Sequence, residues 1–150
     1  MKVMNKRPLK SLRLLAECYH LFERRSAEMT RALGITPPQF DIIATLGNTD
    51  GMTFKELGEK TLITKGTLTG VVDRLEKLQL VSRCDHCSDK RSTIVRLTPQ
   101  GETFFAEAFP KMLRHCTQLF KAFQSSDFSA LEQQLDKLKQ TLLVTENLNN

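Results

Sequence analysis

The sequence has little of what marks secreted and membrane proteins. Its four cysteines are too few to hold 150 residues together by disulfides, and a chain of this length can build a core without them. No apolar run reaches the roughly 20 residues of a membrane-spanning helix. Arg13, Glu17 and His20 interrupt the apolar segment that follows the basic N-terminus. We therefore expect a cytoplasmic protein with reduced thiols, no secretory signal and no membrane span.

Sequence motifs of common enzyme classes are also missing. We find no glycine-rich phosphate loop, no Ser/His/Asp set and no paired carboxylates in the sequence. These absences argue against an enzyme, and we expect no cofactor.

The chain does have an excess of positive charge. Lys and Arg number 22 against 17 Asp and Glu, which gives a formal net charge of +5. A homodimer would carry roughly twice that charge, which favours a polyanionic partner. A solvated basic surface without a partner is an equally good interpretation of the charge alone.

Hydrophobic periodicity predicts long helices at both ends of the chain. The first covers residues 9–33. The second begins at residue 99 and continues to about residue 123, and Pro110 is expected to kink or break it near Phe109. A last helix is expected to open at Ser129 after a turn. It carries a leucine seam formed by Leu131, Leu135, Leu138 and Leu142.

Two capping boxes predict where shorter helices begin. Thr36 can cap a helix that has Pro37 in its first position and Gln39 closing the box. Thr53 and Glu56 repeat this pattern 17 residues later. The side chains expected to be buried by the first of these helices are Phe40, Ile43, Ala44 and Leu46.

A further helix, from Thr64 to about Leu78, has two contrasting faces. Its apolar residues are Leu68, Val71, Val72, Leu75 and Leu78. The opposite face carries Gly66, Thr69, Gly70, Asp73 and Lys77. An interior glycine costs a helix about 1 kcal/mol relative to alanine, so two on one face indicate a close approach to a partner. Asp73 and Lys77 are interpreted as an i,i+4 ion pair.

The hydrophobic period then changes to two. Residues 80–84 and 93–97 are predicted strands, joined by a polar loop. The order of elements predicts a mainly α protein with a small β-hairpin wing, which is a winged helix-turn-helix with N- and C-terminal dimerisation helices. We expect one domain over residues 1–150, with the DNA-binding lobe at 36–98 and the dimerisation helices at 9–33 and 99–147.

This arrangement predicts binding to double-stranded DNA. Gly66 and Gly70 would let the helix approach the floor of a major groove, where Thr69 could contact base edges. The glycines could instead be tolerated surface residues. The other expected DNA contacts are Thr64, Lys65, Thr67, Arg74 and Lys77 on or next to the helix, and Asp89, Lys90 and Arg91 in the wing.

Three segments of the sequence are similar to those of a known family. They are Thr36-Pro37-Pro38-Gln39-Phe40, Thr67-Leu68-Thr69-Gly70-Val71-Val72-Asp73-Arg74-Leu75-Glu76-Lys77, and Asp89-Lys90-Arg91-Ser92 followed by Val95-Arg96-Leu97-Thr98. With them the chain resembles the MarR family of bacterial transcriptional regulators, over residues 12–143. The resemblance implies an obligate homodimer, a recognition helix in each major groove, and Arg91 as the wing arginine with Asp89 as its partner.

Two-fold symmetry of such a dimer predicts a pseudo-palindromic operator with half-sites about one helical turn apart. Repression is the expected outcome of binding. The resemblance also suggests control by a small molecule, an oxidant or a metal. Phe22, Phe40 and Phe105 are candidate lining residues of an apolar effector pocket, although aromatic residues at helical spacing more often belong to a core.

The cysteines leave a second form of control open. Cys84, His86 and Cys87 lie close together in the wing and could form part of a zinc site or a redox pair. Cys18 is expected to be a buried packing residue.

Two functions from other classes also remain open. A thiol–disulfide enzyme would use Cys84 and Cys87, but the pair lacks the helix N-terminus that normally activates such thiols. An adaptor that binds proteins through a winged-helix shell would not bind DNA. The salt dependence of duplex binding distinguishes these readings.

Overall fold

The computed structural model describes residues 6–147 with the exception of residues 86–92. This part of the chain forms six helices and a three-stranded antiparallel sheet, which confirms the predicted fold class. The helices are α1 (Arg7–Ala32), α2 (Pro37–Leu46), α3 (Phe54–Thr61), α4 (Lys65–Lys77), α5 (Pro99–Leu119) and α6 (Ser125–Asn147). The strands are β1 (Met52–Thr53), β2 (Val81–Asp85) and β3 (Thr93–Leu97).

The chain forms two compact units, residues 1–113 and residues 114–150. The first unit contains α1 to α4, the sheet and most of α5. The second contains the end of α5 and α6. The domain limits that the sequence suggests, with a lobe at 36–98, stay a prediction.

The first unit has one apolar core, to which α2, α3, α4, the sheet and the first turns of α5 contribute. Burying a large aliphatic side chain contributes about 1.5–3 kcal/mol, so these residues dominate the stability of the unit. The prediction for α2 needs one correction. Ile42 is fully buried and Ala44 is only half-buried, because the helix lies deep enough to bury more than a single stripe.

Both predicted capping boxes are confirmed. At the start of α2, the Thr36 amide donates to Gln39 Oε1 (2.8 Å) and the Gln39 amide donates to Thr36 Oγ1 (3.5 Å). At the start of α3, the Thr53 amide donates to Glu56 Oε2 (2.7 Å) and the Glu56 amide to Thr53 Oγ1 (3.3 Å). These contacts satisfy backbone donors that a helix start otherwise leaves unpaired, and so fix where the two helices begin.

Strand β3 lies in the middle of the sheet, between β1 and β2. Met52 of β1 pairs with Val95, and Val81 of β2 pairs with Leu97. All four side chains are buried, so this face of the sheet packs on the helices. Sequence analysis missed β1 because two residues are too few to show a period.

The first turn of α5 lies in close contact with Leu80, the residue just before β2. A Cβ added to Gly101 would lie 1.9 Å from the carbonyl oxygen of Leu80. No residue with a side chain fits there without a backbone shift. This close approach fixes the start of α5 against the first unit's core.

The two C-terminal helices differ from the prediction in their limits. Pro110 does not break α5, which continues to Leu119 and stops short of Phe123. The proline removes one backbone donor, and the turns on both sides hold the helix together. Helix α6 begins at Ser125 instead of Ser129, because the Gln124 amide donates to Asp127 Oδ2 (2.8 Å) at the helix start.

The terminal helices leave many large apolar side chains exposed. In the first unit those on α1 are Leu9, Leu12, Leu14, Leu15, Tyr19, Leu21 and Phe22. In the second unit they are Leu119, Phe120, Phe123, Phe128, Leu131, Leu135, Leu142, Leu143 and Val144. None of the helices in the described part of the chain is long and apolar enough to cross a membrane.

Cys18 lies on α1. Its side chain is exposed, which corrects the expectation of a buried packing residue. The reason is that α1 contributes little to the core and is solvated along most of its length.

Candidate nucleic-acid interface

Helix α4 separates its apolar side chains from its polar ones. Leu68, Val71, Val72 and Leu75 are buried, as the sequence pattern predicts. The exposed residues at and along α4 are Thr64, Lys65, Gly66, Thr67, Thr69, Asp73, Arg74 and Lys77, and Gly70 is partly exposed. Leu78 was expected in the buried set but is 45% exposed, because it is the C-cap and the chain turns away there.

The space above the two glycines of this helix is open. A Cβ added to Gly66 or Gly70 would meet no atom within 4 Å. Both residues have ordinary helical backbone, so neither packing nor conformation requires glycine there. At Gly70, in the helix interior, glycine costs about 1 kcal/mol of helix stability relative to alanine, and no contact inside the fold compensates for this cost.

The start of α4 is suited to holding an anion. Thr64 occupies the N-cap position as predicted, but its hydroxyl donates to Thr67 Oγ1 (3.0 Å) and does not cap the backbone. The amides of the first turn therefore lack a side-chain cap. The positive end of the helix dipole and exposed Lys65 together favour a phosphate at this position.

The turn between α3 and α4 is short and contains a strained residue. Leu62 has a φ of 56°, in the left-handed region, and its side chain is 92% exposed. Only Leu62, Ile63 and Thr64 separate the two helices. A short turn of this kind sets α4 at a fixed angle to α3, as in a helix-turn-helix.

Arg83 connects the base of the hairpin to both of these helices. Its guanidinium donates to Asp73 Oδ1 and to Glu76 Oε2 on α4. Its Cζ atom lies 5.5 Å from the ring centroid of Phe54, the first residue of α3. The hydrogen bond to Asp73 raises the pKa of Arg83 above its ordinary value, so the guanidinium stays protonated.

This network corrects the predicted ion pair between Asp73 and Lys77. Asp73 pairs with Arg83, ten residues away on another element. A pairing that depends on tertiary structure does not appear in helical spacing. The available signal was strand alternation, which places Arg83 on the same face of β2 as buried Val81 and hence towards the helices.

Comparison with known proteins identifies the family of this chain. The model of the MarR family matches residues 35–93, which include α2 to α4 and β2. The HTH-type transcriptional regulator YsmB of Bacillus subtilis is 31% identical over 130 residues, which cover 87% of each chain. The protein belongs to the MarR family. Members of this family are transcriptional regulators that bind DNA, and they are not enzymes.

Solved structures of MarR-family regulators have the same fold. AbsC from Streptomyces coelicolor gives a TM-score of 0.84 at 21% identity, over 95% of this chain and 98% of its own. A mutant of MarR from E. coli, crystallised in complex with operator DNA, gives 0.79 at 25% identity, over 89% of this chain and 96% of its own. A MarR-family fold therefore extends over nearly the whole chain.

The wing residues expected of a MarR-family member fall between β2 and β3 in the sequence. Asp89, Lys90 and Arg91 are outside the described residues, and so are His86 and Cys87. The structure describes Cys84, which is half-buried and whose Sγ donates weakly to the carbonyl oxygen of Ile94 (3.7 Å). Within the described ranges, no group of three His, Cys, Asp or Glu residues is placed to hold a metal ion.

The three phenylalanines suggested as a pocket are not brought together as a set. Phe40 is 7% exposed and belongs to the core, and Phe105 packs against that core and stacks near Phe109 with ring centroids 5.1 Å apart. Phe22 lies outside this cluster and is 56% exposed. Their role in binding an effector stays a prediction.

Proposed function

We propose that this MarR-family regulator acts as a homodimer that represses transcription by binding a pseudo-palindromic DNA operator. One observation carries the proposal: α4 has a buried aliphatic side and an exposed side with two glycines that the fold does not need. A helix with bare backbone on its outer face can enter a major groove more deeply than one with side chains there.

The exposed side of α4 supplies two kinds of contact. Gly66 and Gly70 bring the backbone close to the base edges, and Thr69 reads a base edge or a thymine methyl group. The contacts that position the helix on the phosphates come from Thr64, Lys65, Thr67, Arg74 and Lys77. Phosphate contacts supply affinity, and base contacts supply specificity.

The hairpin supplies the contact next to the major groove. Strands β2 and β3 are paired from Val81 and Leu97 to Asp85 and Thr93, and residues 86–92 connect them in the sequence. We infer that Arg91, oriented by Asp89 and assisted by Lys90, enters the neighbouring minor groove, where narrow A·T regions attract arginine.

The homodimer is supported by the exposed apolar surfaces of the terminal helices. Monomeric proteins rarely expose so many large aliphatic and aromatic side chains on adjacent turns. A second copy would cover them and would present two α4 helices to one duplex. At a formal charge of +5 per chain, the dimer also attracts DNA over a distance.

Control by a small-molecule effector is part of the same proposal. Its support is the family, some members of which bind small ligands. Zinc or redox control through Cys84 and Cys87 stays a prediction, since the second thiol lies outside the described residues.

The first test is the salt dependence of duplex binding. Operator fragments are selected from genomic DNA with the purified protein, and their affinity is measured at several salt concentrations. With several phosphates contacted, the affinity should fall steeply as salt rises.

Two substitutions test the placement of the contacts. Arg91→Ala should weaken binding without changing the unfolding temperature, and Thr69→Ala should relax the preference at one half-site position. A shallow salt slope without sequence preference would instead favour the adaptor.

A further inference from the structure

Two carboxylates lie on or beside the proposed DNA-facing side of α4. Asp73 follows Gly70 by three residues and Gly66 by seven, so it shares their face of the helix. The side chain of Asp73 is 49% exposed and that of Glu76, nearly one turn later, is 40% exposed. Negative charges in this position repel phosphates and reduce the affinity for DNA.

One cation engages both of these carboxylates. The guanidinium of Arg83 bonds Asp73 and Glu76 together, which places its positive charge between the two negative ones. Its side chain is only 27% exposed, so the ion triad is partly shielded from salt. Packing of the guanidinium on the Phe54 ring also helps to hold it in this position.

Arg83 can do this because of its place in the sheet. Val81 and Arg83 lie on one face of β2, and their partners Leu97 and Val95 are both buried. The side chain of Arg83 therefore points from the sheet towards the helices, at the edge of the buried side chains on that face. Its length then suffices to reach the exposed edge of α4.

We propose that Arg83 is a positioning residue for DNA binding, which offsets part of the negative charge of Asp73 and Glu76 and holds both carboxylates back from the duplex. The inference rests on the proposed function, because it needs α4 to face DNA. The inference adds that DNA binding by this protein depends on Arg83, a cation that does not itself contact the duplex. Within a Debye length of about 10 Å, two uncovered carboxylates act directly on the nearest phosphates.

The test uses the full-length protein and a labelled duplex selected by the wild type from a random-sequence pool. Arg83→Met should weaken binding about tenfold at about 0.1 M salt, because two negative charges are uncovered. The matched control is Arg96→Met. Arg96 is exposed on β3, one residue along from the partner of Arg83, and its loss removes the same charge from the hairpin. An equal loss of affinity in the control would overturn the proposal.

Removing the two carboxylates shows whether Arg83 acts by offsetting their charge or by holding the hairpin and α4 together. The triple variant Arg83→Met/Asp73→Asn/Glu76→Gln should regain the affinity of the wild type to within about twofold, because it no longer has charges to mask. A purely structural role for Arg83 predicts no recovery, since the bonds between hairpin and helix remain lost. Failure of the triple variant to recover would overturn the proposal.

A third variant remains informative even if Arg83→Met fails to fold. Asp73→Asn/Glu76→Gln retains Arg83 and should bind the duplex about two- to fivefold more tightly than the wild type, with a steeper salt slope. Binding that is unchanged or weaker would overturn the proposal. If the wild type itself selects no duplex, the proposed function fails instead, so the two failures are distinguishable.

Discussion

Leu62 is an unfavourable residue for the turn that joins α3 to α4. A side chain at a φ of 56° costs roughly 1–2 kcal/mol, and one that is 92% exposed recovers little of this through packing. We expect Leu62→Gly to raise the free energy of unfolding by about 1 kcal/mol after the entropy of the added glycine is counted. Urea unfolding at fixed protein concentration measures the change.

The matched control for this substitution lies two residues earlier. Lys60→Gly places the same residue inside α3, where it should lower the free energy of unfolding by about 1 kcal/mol. Loss of stability in both variants would mean that the strain at Leu62 is not real.

Asp41 predicts a pH dependence of stability. Half-burial raises the pKa of its carboxyl above the ordinary 3.8. The folded state then holds the proton more tightly than the unfolded state, so this group favours folding in acid and opposes it once the pH rises through the folded pKa. Asp41→Asn should therefore be more stable than the wild type at pH 7, and the advantage should disappear as the pH falls below about 4.

Exposed Asp50 provides the control for this effect. Asp50→Asn removes the same charge from an exposed carboxyl, so burial cannot contribute to any change in its stability. Urea unfolding across the pH range compares the two variants. An advantage of Asp41→Asn that persists unchanged in acid would exclude desolvation as its cause.

At the level of elements, sequence reasoning succeeds where the information is local. The capping boxes at Thr36 and Thr53 consist of residues three apart, so they are visible in the sequence and present in the structure. The two faces of α4 follow in the same way from one helical period. Leu78 deviates because periodicity cannot show where a helix ends.

What the sequence could not supply is non-local. The pairing of Arg83 with Asp73 and Glu76 depends on how the hairpin packs on α4. Strand β1 exists because β3 offers it an edge, and α5 continues through Pro110 because the turns on either side support it. The ion pairs of Arg83 and the pairing of β1 result from tertiary contacts that a local pattern does not show.

The leucine seam of α6, which is exposed except at Leu138, leads to a prediction about assembly. Leu135 is 45% exposed in a single chain, and a partner that covers it could not accept a charge there. Leu135→Glu should shift the proposed dimer to monomer in sedimentation velocity. Gln133→Glu adds the same charge on the opposite side of α6 and should leave the dimer intact. A dimer that survives Leu135→Glu would place the interface elsewhere.

On the scale of the whole molecule, the fold presents α4 and the hairpin on one compact lobe. The core buries the aliphatic side of α4, the turn at Leu62 sets its angle, and Arg83 ties it to the base of the wing. The helices at both ends expose the apolar surface that a second copy would cover in the proposed dimer. A regulator of the MarR family needs these two capacities together, because one dimer must match two half-sites.

The central claim is that α4 keeps glycines on its outer face for the sake of DNA and at the expense of stability. Gly70→Ala tests it most directly, with Gly58→Ala as control. An added Cβ at Gly58, within α3, makes only an ordinary contact with Leu68 (3.8 Å). Both variants should gain about 0.5–1 kcal/mol in free energy of unfolding.

Only the affinity for DNA should separate the two variants. Gly70→Ala should bind the selected operator at least about tenfold more weakly, because the new methyl group holds α4 away from the groove, and Gly58→Ala should bind as the wild type does. A Gly70→Ala protein that is more stable and still binds the operator with full affinity would contradict the account.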